Sequence, residues 1–155
     1  MDYIKAQQDI LAEILTPNTR GVPYFHDKVK EQTAIFDPLG HYGYEMPTKL
    51  IALDLGKCCK LDKFPFKICP ASPEYEITTD GTTVTAPVGK GVRVVHKNAK
   101  GDLIYTDKRL LAKFGKKIRL YQEQPLGVIT IVNELNNVIG YLCPCRAPKN
   151  NPINQ

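Results

Sequence analysis

Two parts of the chain repeat one order of sequence patterns, and this repeat constrains the fold more than any other feature. The helical sequence ILAEI at 10–14 is similar to LLAKF at 110–114. Each is followed by short runs with strand character, and each series reaches a Gly-Tyr-x-x-Pro sequence, at 43–47 and at 140–144. Agreement in order, spacing and local sequence predicts a duplicated unit in which one helix precedes several antiparallel strands.

The first copy, 1–56, begins with a predicted helix. Asp2 is a favourable N-cap residue, and Thr16 is expected to end the helix because a residue before proline is disfavoured in the helical region. Apolar residues recur between them at helical spacing: Ile4, Ile10, Leu11, Ile14 and Leu15. Four runs after the helix are predicted to form strands: VPYFHD, TAIF, HYGYEMP and KLIALDL.

The second copy, 92–146, begins with a strand predicted at VRVVHKN. A short helix, DKRLLAKF, is then expected between an N-cap at Thr106 and a closing glycine at Gly115. Three further strands complete the predicted unit: IRLYQEQ, GVITIVN and NVIGYLCPCR.

The segment 57–91 between the copies is rich in proline, threonine and lysine. Its sequence EYEITTDGTTVTAP predicts a β-hairpin, because Asp80 and Gly81 suit the two left-handed positions of a type I′ turn. We expect this hairpin to be an exposed ribbon inserted between the two halves. The tail, 147–155, is polar and interrupted by prolines, and it is expected to fray.

The sequence therefore predicts one α+β domain, 1–155, built from two pseudo-repeated helix-plus-antiparallel-strand halves with an inserted β-hairpin. The length and the 43% hydrophobic content suit a single globular core. No apolar run approaches the roughly 18 to 20 residues that a membrane span needs. The N-terminus is too acidic and too polar for a secretory signal, so a cytoplasmic protein with no membrane partner is expected.

Five cysteines are present: Cys58, Cys59, Cys69, Cys143 and Cys145. A structural zinc site typically uses cysteines separated by about two to four residues, and neither the adjacent pair nor the pair around Pro144 has that spacing. We therefore expect reduced thiols and no bound metal. By analogy with the first copy, 140–144 would be the final strand and its exit, where a thiol packs as a small hydrophobe.

Positive charge is concentrated in the second half. Residues 1–80 hold nine Lys and Arg against twelve Asp and Glu, whereas 81–155 hold twelve against four. Within 90–119, ten basic residues face only Asp102 and Asp107. This asymmetry predicts a surface that meets a polyanion; the alternative is a lysine-rich solvated face that keeps the protein soluble.

Six of these residues form the predicted nucleic-acid-binding set: Lys108, Arg109, Lys113, Lys116, Lys117 and Arg119. Residues 109 and 113 lie one helical turn apart, so their side chains should project together. Because no aromatic side chain lies among the cations, we expect them to contact phosphates without reading bases. Binding to DNA would then be weak, independent of sequence and strongly salt-dependent.

The chain resembles a single module of the DNA sliding clamps. The resemblance is most specific in IYTDKRLLAKF and in GVITIVNELNNVIGYLCPCR, which are similar to the last segment of the bacterial clamp subunit. DPLGHYGYEMP is also similar to a strand and turn of a clamp module, whereas 57–91 has no counterpart. The resemblance implies a noncatalytic protein that binds DNA or a replication partner. In length and composition the chain also resembles accessory proteins of bacterial viruses.

The chain departs from the clamp pattern in two respects. Clamp subunits carry several modules and close into a ring, so this single module would need a homo-oligomer. The helices that line a clamp ring are basic, and the second helix fits this pattern. The first helix does not fit, because its one lysine, Lys5, is outnumbered by the acidic residues Asp2, Asp9 and Glu13. A complete ring with a uniformly basic lining is therefore not expected.

Motifs of catalysis are missing from the sequence, which has no GxxxxGK[ST], HExxH or GxSxG. Asp37 with His41, or His26 with Asp27, could be written as an acid–base pair, but such neighbours in a turn more often form surface hydrogen bonds. We expect no enzyme and no cofactor.

Other readings stay open. Tyr42 and Tyr44, on one face of a strand, could stack on bases or could be ordinary residues of a half-buried sheet. The chain could instead be a protein-interaction module, such as an inhibitor of a host protein, that acts through the 72–88 ribbon or an open strand edge. A small enzyme whose site forms only on assembly is the third reading.

Overall fold

A computed structural model describes residues 1–16, 21–85 and 91–147, which form a mixed α+β fold of mostly sheet with two helices. The predicted fraying tail lies outside the described residues from 148 onward. The helices are α1 (Tyr3–Leu15) and α2 (Lys108–Ala112), and short 3-10 helices span Thr48–Leu50, Leu55–Lys57 and Pro73–Tyr75. The strands are β1 (Pro23–Asp27), β2 (Gln32–Phe36), β3 (Tyr42–Pro47), β4 (Cys59–Lys60), β5 (Glu76–Ile77), β6 (Thr83–Thr85), β7 (Val92–Lys97), β8 (Leu103–Asp107), β9 (Ile118–Tyr121), β10 (Ile129–Asn133) and β11 (Val138–Leu142).

The strands form two sheets. The large sheet has the order β4-β1-β2-β3-β11-β10-β9-β5, and the small sheet has the order β6-β7-β8. Neighbouring strands are antiparallel, except that β4 pairs parallel with β1. α1 precedes the meander β1-β2-β3, and α2 precedes the meander β9-β10-β11. The two meanders meet where β3 pairs with β11, with Tyr44 opposite Gly140.

α1 begins and ends where the sequence predicts. Asp2 Oδ1 accepts hydrogen bonds from the backbone N–H groups of Ile4 and Lys5, at 3.0 and 3.1 Å. These bonds satisfy two of the donors that a helix N-terminus leaves free. Thr16 has extended backbone angles and ends the helix.

The apolar stripe of α1 is buried only in part, which corrects the sequence prediction. Ile10 is fully buried against the large sheet, but three of the predicted stripe residues are exposed: Ile4, Leu11 and Leu15. The buried face is instead centred on Ala6, Gln7 and Ile10. Gln7 determines this orientation, because its side chain bonds the chain at 50–53 and so holds that face against the protein.

α2 is capped one residue later than predicted. Asp107 Oδ1 accepts from the N–H groups of Arg109 and Leu110, at 2.8 and 3.2 Å. Thr106 cannot cap the helix because it belongs to β8, a strand that the sequence analysis missed, and lies fully buried opposite Val94. Gly115 ends the helical turn as predicted, with a φ of 85° that glycine adopts without strain.

Two other predicted elements are wrong. KLIALDL forms a 3-10 helix and a loop because its backbone bonds Gln7 instead of a strand partner. The inserted hairpin does not form either, since β5 pairs with β9 in the large sheet and β6 pairs with β7 in the small sheet. Gly81 has a φ of 87°, but Asp80 does not have the positive φ of a type I′ turn, and its carboxylate accepts from the N–H of Thr82 instead.

Much of the 57–91 segment is a structural cover and not an exposed ribbon. Phe64 and Phe66 pack against Phe36 and Tyr141 on the face of the large sheet that the helices do not cover, with ring centroids 5.1 to 5.8 Å apart. Thr130 Oγ1 anchors the segment by donating to the carbonyl of Cys69 at 2.9 Å. The opposite face of the sheet carries both helices in one continuous core.

The small sheet contains a buried histidine. His96 is 1% exposed, and its Nε2 lies 2.7 Å from Thr106 Oγ1, while Nδ1 is buried without a hydrogen-bond partner. Burial lowers the pKa of His96 from 6.5 to about 4 because the charged imidazolium would lose its hydration. His96 is therefore neutral in the folded protein at physiological pH.

We expect stability to fall with acid through His96. Its folded pKa of about 4 lies below the unfolded value of 6.5, so the unfolded chain takes up the proton first. The contribution of His96 to the free energy of unfolding should be fully present above pH 6.5. As the pH falls toward 4, the free energy of unfolding should decrease by up to about 3 kcal/mol. Urea unfolding at several pH values will show this slope, and His96→Gln should flatten it. An equal slope in the variant would contradict the assignment.

Glycines allow the central strands to approach closely. A Cβ on Gly140 would lie 2.5 Å from the carbonyl oxygen of Gly43 and 2.2 Å from the Phe114 ring. A Cβ on Gly43 would lie 2.4 Å from the ring of Phe36, on the other face of the sheet. Real Cβ atoms do not reach these distances, so the junction of the two meanders requires glycine at both positions.

Gly140→Ala should therefore destabilise the fold by at least about 2 kcal/mol, because overpacking forces the backbone and Phe114 apart. Gly56→Ala is the control: its Cβ would meet only the flexible carboxylate of Asp54, at 3.0 Å. We expect the control to change stability by less than about 0.5 kcal/mol. Comparable effects of the two substitutions in chemical unfolding would show that the junction tolerates a side chain.

Candidate nucleic-acid interface

The six predicted binding residues lie on α2 and the chain that follows it. Lys108 and Arg109 form the first turn of α2, and Lys113 follows its last residue. Lys116 and Lys117 lie in the turn after Gly115, and Arg119 lies in β9. Lys113 is half-buried, and the other five are exposed.

α2 separates these residues into two groups. On one side, a cleft of about 480 Å³ lies between α2, β9 and the small sheet, and Lys108, Lys116 and Arg119 line it. On the other side, a groove of about 510 Å³ lies between α1 and α2, and it is lined by Arg109 and Lys113. The charges therefore do not form one stripe along the helix.

Lys113 belongs to a partly buried polar network at the groove and not to the freely exposed cations. Its Nζ lies 2.7 Å from Asp9 Oδ2, which also accepts from the hydroxyls of Tyr44 at 2.7 Å and Tyr42 at 3.3 Å. Nζ also lies 5.1 Å from the centre of the Tyr42 ring, within cation–π distance. This cluster joins α1, β3 and the end of α2.

The contacts of this network shift the pKa values of Asp9, Tyr42 and Tyr44. Burial by itself would raise the pKa of Asp9, but the hydrogen bonds from Lys113 and Tyr44 outweigh it and leave the pKa below its usual value. Burial, together with the charge of Asp9, raises the pKa values of Tyr42 and Tyr44. At neutral pH, Asp9 is therefore an anion that accepts hydrogen bonds from the two neutral tyrosines and from Lys113.

The base-stacking alternative for the tyrosines is wrong. Tyr42 and Tyr44 are 5% and 2% exposed, and both rings face the helices. No single pattern could have identified Asp9 as their common partner, because 33 and 35 residues separate it from them along the chain. The alternation Tyr-Gly-Tyr indicated only that the two rings share a face.

Arg119 differs from the other exposed cations in its direction. Side chains alternate along a strand, and the neighbours Ile118 and Leu120 pack into the core on the helix-covered face. Arg119 therefore projects toward the opposite face and reaches the cleft from the edge of β9. Arg109 instead lines the groove between α1 and α2.

The exposed cations have few acidic partners. Asp107 is 3.5 Å from Arg93, which binds it across the small sheet, and 4.0 Å from the exposed Arg109. Over the described parts of the chain, Lys108, Lys116 and Lys117 form no ion pair. They are therefore available to an external anion.

The residues considered for metal binding or acid–base chemistry do not come together. Within 1–16, 21–85 and 91–147, no three His, Cys, Asp or Glu side chains are placed so that they could hold a metal ion. His26 Nδ1 contacts the hydroxyls of Thr33 and Thr48, each at 3.2 Å, and forms no hydrogen bond with Asp27. Asp37 accepts from the N–H of Tyr42 and likewise does not bond His41.

The C-terminal cysteines take part in packing and in backbone pairing. β11 ends at Leu142, as the predicted final strand and exit require. The N–H of Cys143 donates to the carbonyl of His41, and the N–H of Cys145 donates to the carbonyl of Tyr105 in the small sheet. Burial raises the pKa of both thiols.

Comparison of the chain with protein families, with curated proteins and with solved structures finds no match. No helix in the described part of the chain is long and apolar enough to cross a membrane.

The Asp9–Lys113 pair should be strongly coupled. In a double-mutant cycle with Asp9→Asn and Lys113→Met, we expect a coupling free energy of about 1 to 3 kcal/mol, because each residue is partly desolvated and hydrogen-bonded. The pair Lys67–Glu123, at 3.2 Å, is the control because the Lys67 side chain is 77% exposed, and it should couple by less than about 0.5 kcal/mol.

The same pair predicts a pH effect. The folded pKa of Asp9 lies below its unfolded value of 3.8, so its contribution is complete above that pH and is lost as the pH falls through the folded pKa. Unfolding measured below pH 4 should be less pH-dependent in Asp9→Asn than in the wild type. A coupling no larger than that of the control pair would show that the network does not stabilise the fold.

Proposed function

We propose that this protein is a noncatalytic module that binds the phosphate backbone of a nucleic acid through the α2 basic surface, defined as Lys108, Arg109, Lys116 and Lys117. The observation that supports it best is that all four are exposed on one short segment and that three have no ion-pair partner in the described chain. Exposed ammonium and guanidinium groups attract phosphates electrostatically and release counterions when they bind them.

The proposal concerns backbone binding and not sequence readout. The tyrosines nearest this surface are buried, so no described aromatic ring is offered there for base stacking. α2 has only five residues and cannot enter a groove as a long recognition helix. Long flexible lysines position a phosphate without distinguishing bases. DNA should therefore be bound irrespective of its sequence.

The order of elements supports a clamp-like arrangement as part of this proposal. α1 and α2 lie on the same face of the large sheet, each precedes a three-stranded meander, and the meanders meet at β3 and β11. A gene duplication would produce this order. The acidic residues of α1 distinguish its surface from that of α2, so we propose nucleic-acid contact through the second unit alone.

The triple substitution Arg109→Glu, Lys116→Glu and Lys117→Glu should abolish DNA binding. Fluorescence anisotropy with random-sequence duplex and single-stranded DNA should show wild-type affinity that falls with salt, with a log–log slope of about −3 to −4 for four neutralised phosphates. The thermal midpoint should stay nearly unchanged, because exposed charges contribute little to stability. Lys113 is left intact because of its bond to Asp9.

The matched control is Lys57→Glu, Lys60→Glu and Lys63→Glu, which changes the same charge at three exposed lysines outside α2. This variant should retain most of the affinity. Absence of binding at low salt, or equal losses in the two triple variants, would mean that the α2 basic surface is not a nucleic-acid site.

One observation favours the alternative, a protein-interaction module. β5 covers only Leu120 and Tyr121 of β9, so the first half of β9 is an open strand edge among the described residues. The ribbon proposed for the same role is excluded, because β5 and β6 belong to different sheets. Binding to one protein that resists high salt would support this alternative over the nucleic-acid function.

A further inference from the structure

The cleft between α2, β9 and the small sheet has a base formed by apolar side chains. It exists because the chain leaves the large sheet after Ile77, and Thr78 then bridges to Lys97 of the small sheet instead of continuing along β9. Its volume of about 480 Å³ is in the range of ligand-binding clefts. The apolar residues that line it are Ile77, Val94, Leu111, Ala112, Ile118 and Leu120.

The open half of β9 forms one wall of this cleft. The N–H of Gln122 donates to the carbonyl of Tyr75 on the β5 side of β9. Because backbone groups alternate in direction along a strand, the N–H and C=O groups of Leu120 and Ile118 point to the same side. β5 pairs with Leu120, but in the described chain no strand pairs with Ile118 there. Such an edge is a template for an added strand.

Charge at the cleft selects the chemistry of the added strand. Lys108 and Lys116 lie at the rim on the helix-covered side, and Arg119 projects toward the opposite face. Glu76 is the acidic residue among those that line the cleft. An extended chain beside β9 would place alternate side chains next to Ile118 and next to Arg119.

We infer that this cleft binds an extended peptide segment of a partner protein in which an apolar residue lies between two acidic residues. The peptide backbone pairs with Ile118 at the edge of β9. The apolar side chain enters the cleft beside Ile118 and Leu111, and one of the adjacent acidic side chains meets Arg119. This inference goes beyond the proposed nucleic-acid function, which requires neither strand pairing nor an apolar cleft.

The test uses fluorescein-labelled Val-Glu-Val-Glu-Val, acetylated and amidated, with the full-length protein. Anisotropy should show saturable binding with a dissociation constant below about 1 mM. Val-Val-Val-Glu-Glu has the same composition without alternation and should bind at least about tenfold more weakly. An N-methyl group on the amide of the central valine, which would pair with β9, should weaken binding as much. Absence of saturable binding, or equal affinity of the three peptides, would overturn the inference.

Protein variants locate the binding. Ala112 is exposed at the cleft, so Ala112→Phe should block it with little effect on folding, and Arg119→Glu should weaken peptide binding at least about tenfold. Arg109→Glu with Lys117→Glu is the control, since it alters the α2 basic surface outside the apolar cleft, and it should leave peptide binding unchanged.

The two proposals fail separately. If the variant with Arg109→Glu and Lys117→Glu loses DNA binding but retains peptide binding, the result supports both proposals. Peptide binding that is unaffected by Ala112→Phe and by Arg119→Glu would overturn the inference about the cleft without bearing on DNA.

Discussion

The carboxylate of Asp9 joins three elements that are distant in the chain, and the position of α2 depends on it. Asp9 on α1 accepts from Lys113 after α2 and from Tyr42 and Tyr44 on β3. A helix as short as α2 has no stability of its own in water, because helix nucleation is costly. Its cap at Asp107, the burial of Phe114 and the bond to Asp9 hold it against the sheet. The bond to Asp9 is therefore one of three contacts that fix the positions of the exposed cations and the cleft.

The large sheet requires cover on both faces, and this requirement explains where the chain after β4 lies. α1 and α2 cover one face, and Phe64 and Phe66 cover the other. Without that cover, Phe36 and Tyr141 would be exposed side by side in the middle of the sheet, and burying such aromatic surface is a main source of stability. The segment then has to return to the edge of β9 as β5, and its departure from that edge opens the cleft.

Local signals in the sequence predicted much of the secondary structure, whereas contacts between distant residues decided the rest. The Asp2 cap, the Gly115 terminus and strands β1, β2, β3, β9, β10 and β11 all depend on patterns within a few residues. The cap of α2 was misplaced because the burial of Thr106 in β8 is a tertiary effect. The predicted hairpin does not form for a related reason. Its first strand, β5, pairs with β9, and its second strand, β6, pairs with β7, so pairing with distant strands overrides the local turn preference of Asp80 and Gly81.

The basic residues show why sequence spacing could identify a charged region but not its organisation. Lys113 and Arg109 are one turn apart, yet a carboxylate more than a hundred residues away along the chain pairs with the first and leaves the second exposed. Arg119 follows Lys117 closely, but strand alternation turns it to the other face of the sheet. The fold thus divides the predicted stripe into a lysine paired with Asp9, the exposed cations of α2 and the turn after it, and Arg119 at the edge of the apolar cleft. Lys108 and Lys116 line the cleft and also belong to the α2 basic surface, so a ligand in the cleft and a phosphate on that surface would share these two side chains.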